Sequence, residues 1–472
     1  MTTTPDPMCD HRQLIVVANR LPVRNVSDRN GQHWVSSPGG LVSALAPVMT
    51  SRPRASWVGW SGSAGRAPDP FVHDDISLHP VELSRADVQL YYEGFSNGTL
   101  WPLYHDAIAE PAYHRTWWDA YLKVNRRFAD SVIEIAEPGA TVWVHDYQLQ
   151  LVPGMLRAAL PDLHIGFFLH TPWPARELFL RLPWREQVVR GLLGASLIGF
   201  QTDVMAHNFR HVVPRLVDGA VIDFDDQTVS AAGRSTVCKR HPIGIDVERF
   251  AEAAAEPDTA AAVEALREQL HRPRMVLLGV DRLDYTKGIA QRLRAYGELL
   301  DEDRISADDT VMIQIAEPSR TNVNGYADIR AEVEQLVGEI NGKYGTMDGP
   351  AVHYLHRSHD FQELIALYRL ADVMLVTPFR DGMNLVAKEY VATRYDDTGV
   401  LVLSEFAGAV HELEQAVQVN PYDTDGLKVA IERAVRMGSD EQSRRMAAMR
   451  SIVAESTAHT WAETFITELE SE

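Results

Sequence analysis

The chain has 472 residues and a formal net charge of -20 at pH 7, with 65 Asp and Glu against 45 Lys and Arg. This length predicts two or three domains, and 45% hydrophobic and 23% charged residues exclude a disordered or collagen-like protein. The negative charge disfavours general binding to nucleic acid or acidic membranes, so an anionic substrate requires a locally basic pocket.

The N-terminal residues 1–13, MTTTPDPMCDHRQ, are polar and lack the apolar core of a signal peptide. We therefore expect a loose tail and a cytoplasmic protein. No apolar run approaches the roughly 20 residues of a membrane helix, so no membrane partner is expected. The only cysteines, Cys9 and Cys238, are too few for a disulfide framework and lack metal-ligand spacing.

Short apolar runs recur along the chain, each followed by a loop and a helical pattern such as 288–300 or 327–340. This alternation predicts an α/β fold with two parallel-sheet domains. The runs are 14–18, 142–144, 165–169 and 197–200 in the first half, and 275–280, 311–316, 352–355, 373–377 and 400–403 in the second.

The crossing between domains is predicted at PIGID (242–246), before a polar, Ala-rich segment at 247–274. We expect an N-terminal parallel-sheet domain at 14–242 and a C-terminal one at 243–455. A final helix at 456–472 is expected to pack back on the first domain. No short internal repeat is visible.

An aromatic-rich insertion at 57–118 interrupts the first half. Most of its rings are expected in the core, because aromatic side chains bury large areas. Tyr92 and Trp101 flank a predicted Gly/Asn loop and could instead line a sugar site.

The residues that follow the apolar runs are informative, because ligands of open parallel sheets lie outside the carboxyl ends of the strands. Nearly every predicted strand end carries a charged or polar side chain. If the carboxyl edges of the two sheets face each other across a cleft, these residues converge on one active site. They are Asn19, Arg20, His145, Asp146, His170, Asp281, Arg282, 317–320 and Asp381.

Five of the basic residues near these ends favour an anionic ligand, although a surface ion pair is the alternative for each one. Arg282 and Lys287 share the loop DRLDYTKG (281–288), where charge and backbone N–H groups could hold a diphosphate. The turn SPGGL (37–41) would also let backbone approach a phosphate, but Gly-Gly is common in loops. The five are Arg20, Arg282, Lys287, Arg320 and Lys388.

The segment 373–393, VMLVTPFRDGMNLVAKEYVAT, predicts a strand, a tight loop and a helix with Asn384 as N-cap. The free N–H groups and positive dipole end of this helix would face an anion. Asp381 and Glu389 could accept hydrogen bonds from sugar hydroxyls. The alternative is an ordinary strand-loop-helix unit with solvated acidic residues.

Other chemistries are less well supported. No G-x-G-x-x-G follows the first strand and no P-loop motif is present, which disfavours a dinucleotide oxidoreductase and a P-loop NTPase. His145 and Asp146 are adjacent and would point to opposite sides of a strand, and no Cys/His cluster accompanies His170, so we expect no metal site. Asp146 and His170 end successive strands and could hold sugar hydroxyls between them.

The chain resembles the trehalose-6-phosphate synthase family of retaining glycosyltransferases, which join glucose from a nucleotide sugar to glucose 6-phosphate. The resemblance implies a GT-B fold, two Rossmann-like domains facing across a cleft that must close, without cofactor or metal. The matching motifs are VVANRLPV, SPGGLVSAL, GWSG, FSNGTLWPLYH, WVHDYQL, IGFFLHTPWP, GFQT, PIGID, VDRLDYTKG, INGKYG and VTPFRDGMNLVAKEY.

The resemblance also implies roles for individual residues. A nucleotide-glucose, UDP-glucose by default with ADP and GDP left open, and glucose 6-phosphate are the expected partners of a homo-oligomer. His170 would contact the 6-hydroxyl of the donor glucose, and Glu389 would bind the ribose. The implied acceptor residues are Arg20, Tyr92, Trp101, Asp146 and Arg320. The implied donor residues are Gly40, Arg282, Lys287, Asp381, Met383, Asn384, Leu385, Val386, Lys388 and Glu389. The implied catalytic set is Asp146, His170, Arg282, Lys287 and Asp381.

Three alternatives remain at this point. A sister transferase would make a different glucoside phosphate, such as glucosylglycerol phosphate, and only the acceptor pocket distinguishes it. A catalytically silent sugar-phosphate sensor is disfavoured by the presence of Asp146, Arg282, Lys287 and Glu389. A nucleotide-sugar epimerase would leave Arg20 and Arg320 without an acceptor phosphate.

Overall fold

The structure is a computed structural model that describes residues 13–28, 31–37, 40–52, 54–319 and 326–472. Within these ranges, no helix is long and apolar enough to cross a membrane.

The first half of the chain builds a ten-stranded sheet, with a separate hairpin formed by β2 and β3. The strands are β1 (Leu14–Arg20), β2 (Val23–Asp28), β3 (Gly31–Ser36), β4 (Ser56–Trp60), β5 (Phe71–His73), β6 (Ile76–Val81), β7 (Thr141–His145), β8 (His164–Phe168), β9 (Leu197–Phe200), β10 (Val221–Asp223), β11 (Thr228–Ala231) and β12 (Arg234–Arg240). The order across the sheet is β10-β11-β12-β9-β8-β7-β1-β4-β6-β5, and the central seven strands are parallel. The central strands β1 and β7 carry continuous apolar runs, 14–18 and 142–144, because both of their faces are buried.

Helices cover both faces of this sheet. They are α1 (Gly40–Ser51), α2 (Arg85–Asp87), α3 (Trp101–Tyr104), α4 (Arg115–Ile135), α5 (Val152–Ala159), α6 (Arg176–Phe179), α7 (Arg185–Leu192) and α8 (Asp203–Leu216), with a π-helix at Val88–Leu100 and a 3-10 turn at Tyr147–Leu149. The loop predicted between Tyr92 and Trp101 is wrong, because the π-helix runs directly into α3. A Cβ at Gly94 or Gly98 would come within 2.8 or 2.9 Å of the Trp117 ring, so these glycines serve close packing and not a turn.

The second half builds a six-stranded sheet that is parallel throughout. Its strands are β13 (Met275–Arg282), β14 (Thr310–Glu317), β15 (Val352–Leu355), β16 (Val373–Val376), β17 (Val400–Ser404) and β18 (Val417–Val419), in the order β15-β14-β13-β16-β17-β18. The helices of this half are α9 (Val247–Ala255), α10 (Pro257–Gln269), α11 (Ile289–Asp301), α12 (Tyr326–Tyr344), α13 (Phe361–Leu370), α14 (Leu385–Thr393), α15 (Thr424–Val435), α16 (Ser439–Glu455) and α17 (Ala458–Ser471), with 3-10 turns at Tyr285–Lys287 and Gly408–His411.

Both sheets have a topological switch point, where the strand order reverses and ligands of doubly wound sheets bind. In the second sheet, the order by chain position is 3-2-1-4-5-6, so the switch lies between β13 and β16. In the first sheet, the chain runs outward from β1 through β4 and β6, then returns to β7 on the other side of β1. Of the predicted site residues, Arg20 and Arg282 end β1 and β13, Asp146 directly follows β7, and Asp381 lies in the loop after β16. The α/β fold with two Rossmann-like sheets is confirmed.

The chain passes between the two sheets twice. The first crossing lies between β12 and β13, and the second at Ser456, between α16 and α17. The two crossings contact each other, because Ala458 N donates to Ile245 O at 2.9 Å. The boundaries at 242–243 and 455–456 fall in these crossings, and we propose them as domain limits.

The helix α17 packs on the first sheet, although it follows the second domain in sequence. Its Phe465 ring stacks on Trp143 of β7 at 4.4 Å between centroids, and its Trp461 lies 5.0 Å from Phe168 of β8. Arg52, at the end of α1, is salt-bridged to Glu470 at 3.0 Å. The C-terminal helix therefore lies against the same two strands that carry Asp146 and His170.

Candidate active site

The carboxyl edges of the two sheets meet face to face. A Cβ at Gly382, after β16, would come within 1.9 Å of His170 O, after β8. A Cβ at Gly40 would come within 2.4 Å of Leu385 Cδ1. These close approaches place the predicted donor loops of the second domain directly against the first domain.

Aromatic and ionic contacts also cross this interface. The guanidinium carbon of Arg282 lies 5.4 Å from the centroid of the Trp101 ring, a favourable position for a cation over an aromatic face. Arg380 Nε lies 3.3 Å from Asp106 Oδ2. The structure therefore brings a predicted acceptor residue, Trp101, and a predicted donor residue, Arg282, together.

Arg20 ends β1 at the switch point of the first sheet, where its guanidinium carbon lies 4.7 Å from the centroid of the Trp60 ring. Gly62 leaves room for this guanidinium, because a Cβ there would come within 2.2 Å of Nη2. The Tyr92 ring contacts Trp60 edge-on at 5.8 Å. Arg20, Trp60, Gly62 and Tyr92 thus form one cationic, aromatic pocket, and the motif GWSG contributes two of its members.

Asp146 lies at the end of β7 with a left-handed backbone, φ 73°. One carboxylate oxygen, Oδ1, accepts from the backbone N–H groups of His170 at 3.2 Å and Thr171 at 3.3 Å. These bonds tie the ends of β7 and β8 together. The strained turn therefore orients a carboxylate at the cleft, as strained backbone does at many functional sites.

The second domain places Lys287 and Asp381 in contact. Lys287 Nζ donates to Asp381 Oδ2 at 2.5 Å, and Asn384 Nδ2 donates to the same oxygen at 3.1 Å. Burial alone would raise the pKa of Asp381, but the Lys287 ammonium, together with His105 and the Asn384 amide, outweighs it and lowers this pKa below the usual range. Asp381 is therefore ionised and Lys287 is held at the strand end.

A buried arginine that the sequence analysis missed supports this pair. Arg292 is fully buried in α11, and its Nη1 donates to Asp281 Oδ2 at 2.8 Å and to Gln314 Oε1 at 3.0 Å. Its Nε donates to Thr377 Oγ1 at 3.1 Å, next to the end of β16. Arg292 thus connects β13, β14 and β16 beneath the loop that carries Lys287. Its sequence signal is indistinguishable from that of a surface arginine on an amphipathic helix.

The helix α14 begins at the cleft. Asn384 caps it, accepting from Ala387 N at 3.2 Å, and the N–H groups of Leu385 and Val386 have no acceptor within the helix. Met383 O accepts from Ala409 N at 2.8 Å, which fixes the preceding loop. Free N–H groups at a helix start form a binding site for an anion.

Glu389 lies one turn further along α14 and accepts from Tyr368 OH at 2.8 Å. Burial raises the pKa of Glu389, and the nearby negative charge of Glu317 adds to this effect. Hydrogen-bond donors such as ribose hydroxyls would favour the ionised carboxylate, because they stabilise its negative charge.

Lys388 does not face the cleft. It is buried, its Nζ lies 2.8 Å from Glu412 Oε2, and it also donates to Ile243 O at 2.8 Å. Glu412 in turn accepts from Ser456 Oγ at 3.2 Å. The assignment of Lys388 to the donor set is corrected: its ammonium ties α14 to both interdomain crossings and is unavailable to a ligand.

Two further residues complete the inventory. Arg320, a predicted acceptor residue, lies outside the described residues.

His105, which the sequence analysis did not single out, is buried near Asp284, Asp381 and Lys287, and burial lowers its pKa to about 4. The described ranges contain no group of three or more His, Cys, Asp or Glu side chains placed to hold a metal ion.

Comparison with known proteins decides the family. The model of "Glycosyltransferase family 20" matches residues 12–471. The chain belongs to glycosyltransferase family 20. It is 52% identical over 461 residues to the trehalose-6-phosphate synthase of Mycolicibacterium smegmatis, covering 96% of this chain and 91% of the relative. It is 50% identical over 470 residues to that of Mycobacterium tuberculosis H37Rv, covering 96% and 93%.

Solved structures of the same kind superimpose on nearly the whole chain. The α,α-trehalose-phosphate synthase (UDP-forming) of Burkholderia xenovorans, in complex with glucose 6-phosphate, matches with a TM-score of 0.89 and 34% identity, covering 97% of this chain and 100% of that one. The E. coli protein bound with UDP-2-fluoro glucose matches with a TM-score of 0.88 and 34% identity, covering 98% and 99%. The resemblance stated from the motifs is thus confirmed.

Proposed function

We propose that this family 20 enzyme transfers glucose from UDP-glucose to glucose 6-phosphate, giving α,α-trehalose 6-phosphate and UDP with retention of configuration. One observation carries the proposal: two cationic pockets, each at the switch point of its own sheet, face each other across a narrow cleft. A reaction that joins a nucleotide sugar to a sugar phosphate needs two anion sites in this arrangement. The relatives bound to glucose 6-phosphate and to a UDP-glucose analogue support this choice.

On the acceptor side, Arg20 binds the phosphate of glucose 6-phosphate, with Arg320 as its partner. Trp60 and Tyr92 line the sugar, and stacking on Trp60 holds the guanidinium of Arg20 in place. The Asp146 carboxylate, fixed by the backbone of His170 and Thr171, accepts from hydroxyls between the two sugars. The Trp101 ring closes this pocket on the side of Arg282.

On the donor side, Arg282 and Lys287 bind the diphosphate, together with the free N–H groups of Leu385 and Val386. Glu389 accepts from the ribose hydroxyls. The glucose lies over the loop 381–384, where Asp381 and the backbone of Met383 and Asn384 hold its hydroxyls. Gly40 approaches the donor from the other domain, as its contact with Leu385 indicates.

The chemistry is a front-face displacement. The anomeric hydroxyl oxygen of glucose 6-phosphate attacks the anomeric carbon of the donor glucose as the bond from that carbon to the diphosphate oxygen breaks. The attacking hydroxyl gives its proton to a diphosphate oxygen on the same face, so configuration is retained. Binding of the acceptor phosphate and the donor diphosphate brings the attacking oxygen close to the anomeric carbon. Arg282 and Lys287 stabilise the negative charge that develops on the leaving group.

The preference for UDP rests on the relatives named UDP-forming. A homo-oligomeric state remains a prediction. Closure of the two domains on their substrates fits the two adjacent crossings, which give the chain one hinge region at Ile245 and Ser456.

A donor and acceptor matrix tests the proposal. UDP-, ADP- and GDP-glucose are each incubated with glucose 6-phosphate, glycerol 3-phosphate or free glucose, and products are separated by anion-exchange chromatography. We expect trehalose 6-phosphate from UDP-glucose and glucose 6-phosphate, and little product with free glucose. The variant Arg20→Ala should raise KM for glucose 6-phosphate and leave KM for the donor nearly unchanged. Product from glycerol 3-phosphate alone would favour the sister transferase, and no product in any pair would refute the proposal.

A further inference from the structure

A second, buried histidine, His145, contacts the ring of His170. His145 is fully buried at the end of β7, and its Nδ1 lies 3.1 Å from Nε2 of His170. Its ring packs against Trp143 at 4.6 Å and Phe168 at 6.4 Å between centroids. Its other nitrogen, Nε2, has no hydrogen-bond partner among the described residues. The single hydrogen bond to His170 is thus the only one available to this buried ring within that part of the chain.

Both rings are neutral near pH 7. Burial lowers the pKa of His170 to about 3 and the pKa of His145 well below its usual range. A hydrogen bond between two neutral imidazoles needs one ring to donate and the other to accept. Two tautomeric arrangements are therefore available, and they differ in which nitrogen of His170 carries its proton.

The orphaned Nε2 of His145 separates these arrangements. If His170 donated from Nε2, His145 would accept at Nδ1 and carry its own proton on Nε2, as a buried N–H without an acceptor. If His145 donates from Nδ1, its Nε2 carries only a lone pair. For backbone groups, orphaned buried N–H donors are rarer than under-satisfied acceptors. By the same reasoning we take the second arrangement as the favoured one.

The favoured arrangement leaves the proton of His170 on Nδ1. That nitrogen has no hydrogen bond within the described ranges, and His170 keeps a small exposed surface. The backbone oxygen of His170 lies beside Gly382, in the loop proposed for the donor glucose. The Nδ1–H of His170 is therefore an uncharged donor on the part of the ring that His145 does not contact.

We propose that His145 is a positioning residue that fixes His170 as the Nδ1–H tautomer, so that His170 donates a hydrogen bond to a hydroxyl oxygen of the donor sugar. The proposal rests on the proposed function, because that function places the sugar of the donor in this part of the cleft. No proton is transferred. The contribution is orientation and donor character alone.

Nuclear magnetic resonance of the 15N-histidine-labelled full chain tests the tautomer directly. Spectra of His170→Gln, which lacks the signal in question, assign the resonances of His170. We expect a protonated Nδ1 and an unprotonated Nε2 in the wild type, without any substrate present. A protonated Nε2 on His170 would overturn the proposal. Because this measurement needs no turnover, it stands apart from the test of the proposed function.

Two variants test the consequence for the reaction. His145→Asn keeps an amide donor near the position of Nδ1, whereas His145→Leu fills a similar volume without one. We expect His145→Leu to lose the pure Nδ1–H form and to lower kcat/KM for the donor about 10-fold, the value of roughly one hydrogen bond. His145→Asn should stay within about threefold of wild type, and KM for glucose 6-phosphate should change little in both.

A merely structural role for His145 makes a different prediction. Both variants would then lower the melting temperature, and kinetic losses would follow the stability loss with the tautomer of His170 unchanged. Equal losses in the Asn and Leu variants with an unaltered tautomer would overturn the proposal. Recovery in the Asn variant alone, together with an Nδ1–H signal, would support it.

Discussion

Removing the guanidinium of Arg292 should destabilise the second domain more than any exposed charge change on the same helix. Arg292→Met keeps the length and apolar stem of the side chain and deletes its five donors. The variant leaves the Asp281 carboxylate, whose side chain is only 2% exposed, without its cation. Gln314 Oε1 and Thr377 Oγ1 lose their Arg292 donors at the same time.

The magnitude follows from this burial. Breaking a buried ion pair by removing one partner typically costs about 3–5 kcal/mol, because the other charge stays buried. Arg294, two residues along α11, is 39% exposed and is paired with Glu332. Its replacement by Met should cost less than about 1 kcal/mol, the usual value of a surface pair. The two variants thus form a matched pair on one helix.

The assay can separate the domains. All ten tryptophans lie in the first domain or in α17, which packs on it, so tryptophan fluorescence reports the first domain. Far-ultraviolet circular dichroism reports the helices of both domains. In a urea titration, Arg292→Met should shift the dichroism transition to lower urea. The shift should correspond to a loss of about 3–5 kcal/mol in the free energy of unfolding. The fluorescence transition should shift less where the domains unfold separately.

Two results would refute this reasoning. A loss below about 1 kcal/mol in Arg292→Met would mean that the network of Asp281, Gln314 and Thr377 does not depend on the buried cation. An equal loss in Arg294→Met would mean that burial does not decide the difference. The double variant Arg292→Met, Asp281→Leu should recover part of the loss, because no unpaired charge then remains.

Three further predictions concern the cleft and its hinge. Arg282→Ala and Lys287→Ala should each lower kcat/KM at least about 100-fold, while Arg282→Lys loses less; near-wild-type turnover in the alanine variants would contradict the leaving-group role. Because burial raises the pKa of Glu389, KM for UDP-glucose should rise as pH falls, starting at a pH above 4.5, the ordinary pKa of a glutamate. The variant Glu389→Gln should have a higher KM that does not change with pH in this range. If the pH dependence survives in this variant, another group causes it. Lys388→Met should destabilise the protein by about 3–5 kcal/mol by leaving Glu412 buried and unpaired, and adding Glu412→Leu should recover stability; unfolding curves unchanged by the single variant would refute the buried clamp.

The sequence predicts the elements that depend on local pattern. Buried parallel strands such as 14–18 and 373–377 form continuous apolar runs in the sequence. Ligands of open parallel sheets bind at the carboxyl ends of the strands, so the residues at these ends were predicted as site residues. Arg20, Asp146, Arg282 and Asp381 all lie where that rule predicts. The N-cap of α14 at Asn384 was predictable for the same local reason.

What the sequence could not predict depends on distant contacts. Lys388 has the same helical setting as a ligand-binding lysine, and only the position of Glu412 and Ile243 O shows that it is buried. The glycines at 94 and 98 indicate a loop until the Trp117 ring is placed against them. The pairing of His145 with His170 joins two strands that are 25 residues apart in sequence. Such tertiary pairings leave no periodic signal in either segment.

The measurement that tests the central account most directly is the proton spectrum of the product formed from UDP-glucose and glucose 6-phosphate. The account predicts equal amounts of UDP and a disaccharide phosphate whose two anomeric centres are both α. A β configuration at the transferred glucose would contradict the front-face mechanism. Release of free glucose with unchanged glucose 6-phosphate would contradict the acceptor site itself.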